Sequence, residues 1–340
     1  MPFPDLREEE VETGPPRAGR QEEGTWGTFI FAGPQTPSSL TSSGAVGTVR
    51  RPDGSDGKDF GSVWTSHRVP VRDGRGANLQ LDRNGVQLVG SPVDTELAGL
   101  DLLDQDDIIS RYYPHCCQLV KDTTSAAEVI AFDHNVRGRE LKAQATKIKS
   151  GSAVQGPASV IHNDYTLEGA PRRLEQLASE TNSINDQSRQ PGERLVTAAA
   201  MERVHQGGRW AMINVWRNIL PTPVQKTPLA VVDGATVSLA AEPTSVGDAG
   251  DSGRSSCRSG EEDNGEIVTF EIRYSDRVGE NYMLKYKDSQ EFYYYPAMLR
   301  SEAMLIKVFD SASAALGGDD ENIAPFSFHS AFEEESSPGT

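Results

Sequence analysis

This chain is poor in cysteine, in long apolar runs and in positive charge, and each shortage removes a class of protein. Its 340 residues hold three cysteines. Cys116 and Cys117 are adjacent and Cys257 sits in a Ser/Gly-rich stretch, so neither a disulfide framework nor a CxxC or Cys/His zinc spacing exists. A reducing cytoplasm is the simplest compartment. No stretch approaches the roughly 18 apolar residues that a membrane span needs. The first residues, MPFPDLREEEVETG, lack the apolar centre of a secretory signal. Lys and Arg number 33 against 50 Asp and Glu, a net charge of −17. Nucleic acid and anionic membranes repel such a protein. Also missing are a P-loop, a GxGxxG loop and a nucleophile elbow. Oligomeric state is open.

The hydrophobic fraction, 36%, is low for a fully packed chain of this length, so part of it should lie outside the core. Residues 1–61 read as mostly disordered or loop-like. Their first 23 positions are rich in Pro, Gly and Glu, and PQTPSSLTSSGAVG and RPDGSDGKDFG are low-complexity runs. A second such run, 243–265, reads as an insertion, and 334–340 as an acidic or polar tail. The span between them, 62–333, reads as a single domain.

Alternating patterns begin at Val69 to Val71, Leu79 to Leu81 and Val86 to Val89, the last two flanking an Asn84-Gly85 hairpin signal. A helix is expected from about Asp106 to Thr124, with Pro114 as a kink point. AEVIAFDHNVR reads as a strand. Helical patterns follow at Arg172 to Ser179 and Glu193 to Gln206, the second ended by Gly207-Gly208. Beyond them WAMINVW, PLAVVDGATV, EIVTFEIRYS, NYMLKYK, EFYYYP and AMLIKVFDS are strand-like. The fold class is therefore mainly β with peripheral α-helices, in a sandwich or jelly roll.

Two separated elements carry possible chemistry. In SVIHNDYT, His162 and Asp164 stand two apart, and on a strand such residues share a face. His329 lies in FSFHSAF. Two histidines and one carboxylate converging would form the facial triad of non-heme Fe(II) oxygenases. The tripeptide alone is also compatible with a hydrogen-bonded strand histidine, a turn aspartate and a core-edge His329. His67, His115, His134 and His205 read as structural.

LDRNGVQLV, RYYP, IAFDHNVR, HNDYT with GAPRRL, INVWRNI with PVQKTPLAVVDGATV, ENYMLKYKDSQEFYYYPAMLRSEAMLIKVFDS and FHSAF occur in one order from about Val69 to Phe332. Together they resemble the fungal hydroxylase/desaturase family that includes gibberellin desaturase-like proteins. They are also similar to a cephamycin-pathway methoxylation component, a group sometimes labelled methyltransferase. The resemblance implies a double-stranded β-helix (jelly roll) of the Fe(II)/2-oxoglutarate oxygenase type. It implies His162, Asp164 and His329 as metal ligands, with Fe(II) as cofactor and 2-oxoglutarate and molecular oxygen as cosubstrates. The reaction would be hydroxylation or desaturation of a small-molecule secondary metabolite.

Asn214 and Arg217, in the family-like INVWR, are candidates for the cosubstrate or substrate pocket, with a surface ion pair as the alternative for Arg217. Tyr282, Tyr286 and Tyr293 to Tyr295 are expected to fill the barrel. In the family, the distal histidine leads into a strand whose arginine pairs with 2-oxoglutarate. This sequence has Ser336-Ser337-Pro338-Gly339-Thr340 there, so the C-terminal strand is expected to be missing. Two alternatives follow: an inactive homologue serving as a binding or accessory protein and, with no Gly-rich loop to favour it, a methyltransferase.

Overall fold

The computed structural model describes residues 24–51, 56–180, 189, 192–239, 265–275 and 277–335. The expected disorder of 1–23, nearly all of the 243–265 insertion and the tail beyond 335 lie outside the described residues, as does Cys257.

The described residues form fourteen strands. In chain order they are β1 Gly24–Ala32, β2 Gly47–Arg50, β3 Asp56–Phe60, β4 Trp64–Asp73, β5 Val86–Gly90, β6 His162–Asn163 and β7 Ala211–Arg217. Then come β8 Leu229–Val232, β9 Ile267–Arg273, β10 Val278–Leu284, β11 Phe292–Tyr294, β12 Glu302–Asp310, β13 His329–Ala331 and β14 Glu333–Glu335. Eleven make one sheet in the order β14-β1-β4-β11-β8-β13-β6-β10-β9-β2-β3, and β5-β12-β7 make a second. Helices lie at Tyr113–Thr124, Gly169–Ala178 and Ala198–His205. The protein is mainly β, with few helices.

Expectation fails first at the N-terminal side. Residues 24–61 do not stay loop-like: β1 pairs with β4 over nine residues and lies between β14 and β4 in the large sheet. Phe29 and Phe31 pack with Val69, Val71, Phe292 and Phe332 on one face, while Ile30 and Ala32 pack with Val160, Val268 and Met283 on the other. Full burial of each phenylalanine contributes about 2–3 kcal/mol. The glycines of GTWGTFIFA hid this strand. At Gly27 an added Cβ would fall 2.5 Å from Phe332 Cδ2, so glycine marks a close approach and not a loop. Likewise the acidic Glu333–Glu335 is no loop, because it pairs antiparallel with β1.

Local signals explain three further differences. Asn84-Gly85 makes no hairpin; Leu81–Asn84 is a helical turn, and Gly85 caps it with φ 76°. β5 pairs with β12 instead. The IAFDHNVR segment is irregular and not a strand. The helix expected from Asp106 forms, but a π-helical stretch, Ile108–Tyr112, precedes Pro114. Proline supplies no N–H to the preceding turn, which widens there. Of the expected interior tyrosines, Tyr282, Tyr293, Tyr294 and Tyr295 are buried, whereas Tyr286 is only partly buried against the core.

A buried charge cluster locks the small sheet to its surroundings. Lys307 Nζ lies 2.8 Å from Asp310 Oδ2, and both side chains are essentially inaccessible. Arg209 donates to the same carboxylate at 3.0 and 2.6 Å. Lys307 Nζ also donates to the Ala324 carbonyl at 3.2 Å. Burial raises the Asp310 pKa, but Arg209 and Lys307 outweigh it and hold the carboxyl below its ordinary value. The folded form then binds its proton less readily than the unfolded chain. Stability from Asp310 is present above the ordinary carboxylate range and is lost as pH falls through it.

Removing the carboxylate leaves Lys307 buried without its close partner, while Arg209, nearly half exposed, keeps Asp82. Asp310→Asn should therefore cost about 3–5 kcal/mol in denaturant unfolding at pH 7, with the difference from wild type shrinking toward pH 3. A loss below 1 kcal/mol, or one independent of pH, would show that the cluster does not hold the sheets.

Candidate metal centre

β13 pairs antiparallel with β6, and in that register His329 stands directly opposite His162. Residues directly opposite on neighbouring antiparallel strands share a face. The ring centroids are 4.6 Å apart. β6 covers only His162 and Asn163, and the chain bends at Asp164. Asn163, on the opposite side, secures this bend by donating to the carbonyls of Tyr165 at 2.6 Å and Val308 at 3.0 Å. The Asp164 carboxylate thereby reaches both imidazoles, with His162 Nε2–Oδ1 at 3.6 Å and His329 Nε2–Oδ2 at 3.7 Å.

One ligand atom from each of the three residues lies within 4.8 Å of the others. Donors about 2.1 Å from a common ion cannot stand farther apart than about 4.2 Å. Both carboxylate–imidazole spacings already meet that limit.

The protonation states suit ligation. His162 Nδ1 faces the Val160 carbonyl at 2.8 Å. A carbonyl can only accept, so Nδ1 carries the proton and Nε2 presents its lone pair to the centre. Burial, and then the His329 charge, hold the His162 pKa down. Burial pushes Asp164 up, but His329, His162, Asn214 and Arg137 together bring it below its ordinary value. For His162 and Asp164, a neutral imidazole and an ionised carboxylate are the forms that bind a divalent cation.

The remaining candidates separate. Asn214 Nδ2 donates to Asp164 Oδ2 at 2.6 Å, orienting the carboxylate from the small sheet. Arg217 is not brought to the three candidate ligands, and among the described residues it forms no ion pair. It is buried on the opposite face of β7, where its Nε donates to Tyr112 Oη at 2.9 Å and Nη1 to the Ser91 carbonyl at 2.8 Å. The period-two alternation of INVWR sends Asn214 inward and Arg217 toward the helical layer.

Sequence reasoning missed Arg137 and Tyr165. Arg137 acts electrostatically on both His162 and Asp164. Tyr165 follows Asp164 directly, and burial raises its phenol pKa. Arg137 belongs to IAFDHNVR, a string noted for resemblance but given no role. No helix among the described residues is long and apolar enough to cross a membrane.

Residues 36–247 and 255–340 match the family model described as "Oxidoreductase/YMDC permease-like domain". The "Uncharacterized protein in dcmA 3'region" of Methylophilus leisingeri is 37% identical over 185 residues, covering 54% of this chain and 85% of that protein. The alpha-ketoglutarate-dependent dioxygenase tstK of Talaromyces stipitatus is 29% identical over 157 residues, 46% of this chain and 47% of that protein. The chain thus spans about half the length of this fungal relative. Among solved structures, the iron and alpha-ketoglutarate-dependent endoperoxidase NvfI superposes with a TM-score of 0.65 at 20% identity, covering 94% of this chain and 93% of the other. That likeness is one of fold. By its family match and these homologues, the chain belongs to the Oxidoreductase/YMDC permease-like family and is a relative of the fungal hydroxylase/desaturases and Fe(II)/2-oxoglutarate-dependent dioxygenases.

Proposed function

We propose that this protein is an Fe(II)- and 2-oxoglutarate-dependent oxygenase that hydroxylates or desaturates a small-molecule secondary metabolite. The observation that carries the reading is the strand pairing that sets His329 opposite His162 with Asp164 beside both. Two imidazoles and one carboxylate are the donor set of non-heme iron oxygenases, and they leave positions for other ligands. Zinc sites with three protein ligands share this count, but the relative named as the Fe(II)/2-oxoglutarate-dependent dioxygenase nvfI favours iron. We further propose one double-stranded β-helix domain. It begins at β1 and not at residue 62, because β1 shares its core with β4 and β11.

His162, Asp164 and His329 would hold the metal. Bound iron supplies the redox chemistry that couples oxidative decarboxylation of 2-oxoglutarate to oxidation of a C–H bond. The chain's part is positioning. Val160 fixes the His162 tautomer, and Asn214 fixes the Asp164 carboxylate. Asp164 remains one-third exposed while the two histidines are nearly covered. Solvent and small molecules therefore approach from the carboxylate side. An intact donor set favours an enzyme over an inactive accessory homologue, and the homologues named above give no support to methyl transfer.

His162→Ala, Asp164→Ala and His329→Ala should each weaken Fe(II) binding by more than about 100-fold in anaerobic titration. Each should also abolish succinate release from 2-oxoglutarate. Wild-type iron affinity in the His162 or Asp164 variant would sink the ligand assignment. A wild-type protein that binds no iron would return the inactive-homologue reading.

Asn214→Ala should weaken Fe(II) by about 10- to 100-fold, because an unsupported carboxylate loses its orientation. Its unfolding midpoint should stay near that of wild type, since Asn214 is only part-buried. Unchanged iron affinity would confine Asn214 to a packing role.

A further inference from the structure

Of the three candidate ligands, Asp164 is the one that strand register does not fix. The ladder of β6 ends at Asn163, opposite Tyr282, and Asp164 lies one residue beyond it. The bonds of Asn163 to the Tyr165 and Val308 carbonyls hold the near side of the bend. The far side is held from β10.

Glu280 and Tyr282 stand two apart on β10, so their side chains leave the same face of the strand. Tyr282 Oη accepts from Leu167 N at 3.0 Å and donates to the Leu40 carbonyl at 2.7 Å. Thr166 Oγ donates to Glu280 Oε2 at 2.8 Å. The same hydroxyl accepts from Gly169 N at 2.8 Å, where the Gly169–Ala178 helix begins. With its proton directed to the carboxylate, it keeps a lone pair for that N–H. Thr166 is buried, and its side chain is held in one orientation.

Packing alone does not call for this arrangement. The Glu280 side chain is 4% exposed, and its neighbour across the ladder is Glu271, a like charge directly opposite. Such pairs are destabilising, and a buried carboxylate costs several kcal/mol unless it is well paired. Arg172 stands 3.4 Å away and is nearly half exposed, so it offsets only part of that cost. Two residues along the same face, Tyr282 packs in the apolar cluster of Ile161, Ile267 and Phe326. The bonds that Glu280 makes end on Thr166 and Arg172, in the segment that follows the ligand.

Resting on the reading of His162, Asp164 and His329 as a metal centre, we propose that Thr166 and Glu280 are positioning residues for the Asp164 carboxylate. Asn163 is tied on one side of the bend and Thr166 on the other, so the two residues between them have little freedom. Neither Thr166 nor Glu280 is a ligand; both act through the backbone that carries one. If their bond is lost, sheet register still holds His162 opposite His329, and the carboxylate alone is misplaced.

The test uses Co(II), whose visible absorption reports coordination geometry, titrated into the full chain. Thr166→Val removes the hydroxyl at nearly constant shape. It should weaken Co(II) about 10-fold and change the spectrum of the bound ion. Thr166→Ser should restore both. Glu280→Leu, which removes the acceptor instead, should reproduce the loss. In the Asp164→Ala background, Thr166→Val should weaken Co(II) no further, because the donor it places is gone. Wild-type affinity and spectrum in Thr166→Val and Glu280→Leu would overturn the proposal and leave the metal reading intact. A full further loss in the Asp164→Ala background would also overturn it, by showing a merely structural role. A wild type that binds neither Co(II) nor Fe(II) would remove the metal reading and the proposal with it.

Discussion

The pairing of β6 with β13 is the constraint on which the rest of the structure depends. It is a very short contact, with one cross-strand partner pair, His329 opposite His162. Neither strand could hold that register alone. β13 is fixed on its other side by β8 through three residue pairs, and β6 by β10 through two. Alternation does the rest, because a slip of one residue would turn one imidazole to the opposite face. The geometry of the candidate metal site is thus inherited from sheet register, and register from the hydrophobic faces of β8 and β10.

The small sheet supplies what the large sheet lacks. Asn214 on β7 lies opposite Ile306 on β12 and reaches across to Asp164. Asn163 reaches back to the Val308 carbonyl. Those two bonds run in opposite directions between the sheets, and the Lys307–Asp310–Arg209 cluster holds β12 at the height where both can form. Lys307, Asp310 and Arg209 bear on the candidate site through the placement of β12.

Much of this was legible in the sequence, for identifiable reasons. HNDYT put His162 and Asp164 on one side because a spacing of two survives even when the strand is two residues long. The C-terminal strands carried dense β-branched and aromatic runs, and they formed where expected. The convergence of His329 on that pair was implied by family resemblance, as spacing alone cannot bring distant strands together. Failures came where glycine and charge carried the opposite of their usual meaning. Gly27 permits an aromatic contact inside β1, and the glutamates of β14 pair along an edge. Arg137 was invisible as a site residue because IAFDHNVR has strand composition but no regular structure. Its position follows from long-range bonds to residues 155 and 156. Alternation along INVWR already set Arg217 opposite Asn214, but its partners, Tyr112 and Ser91, are distant in sequence and carried no local signal.

The central claim is that a single iron is held by three named side chains. Anomalous diffraction at the iron absorption edge, from crystals of the Fe(II)-loaded protein, reads this directly. The account predicts one strong peak within bonding distance of His162 Nε2, His329 Nε2 and an Asp164 oxygen. A peak bound elsewhere, or a centre that lacks the imidazole of His329, would contradict it.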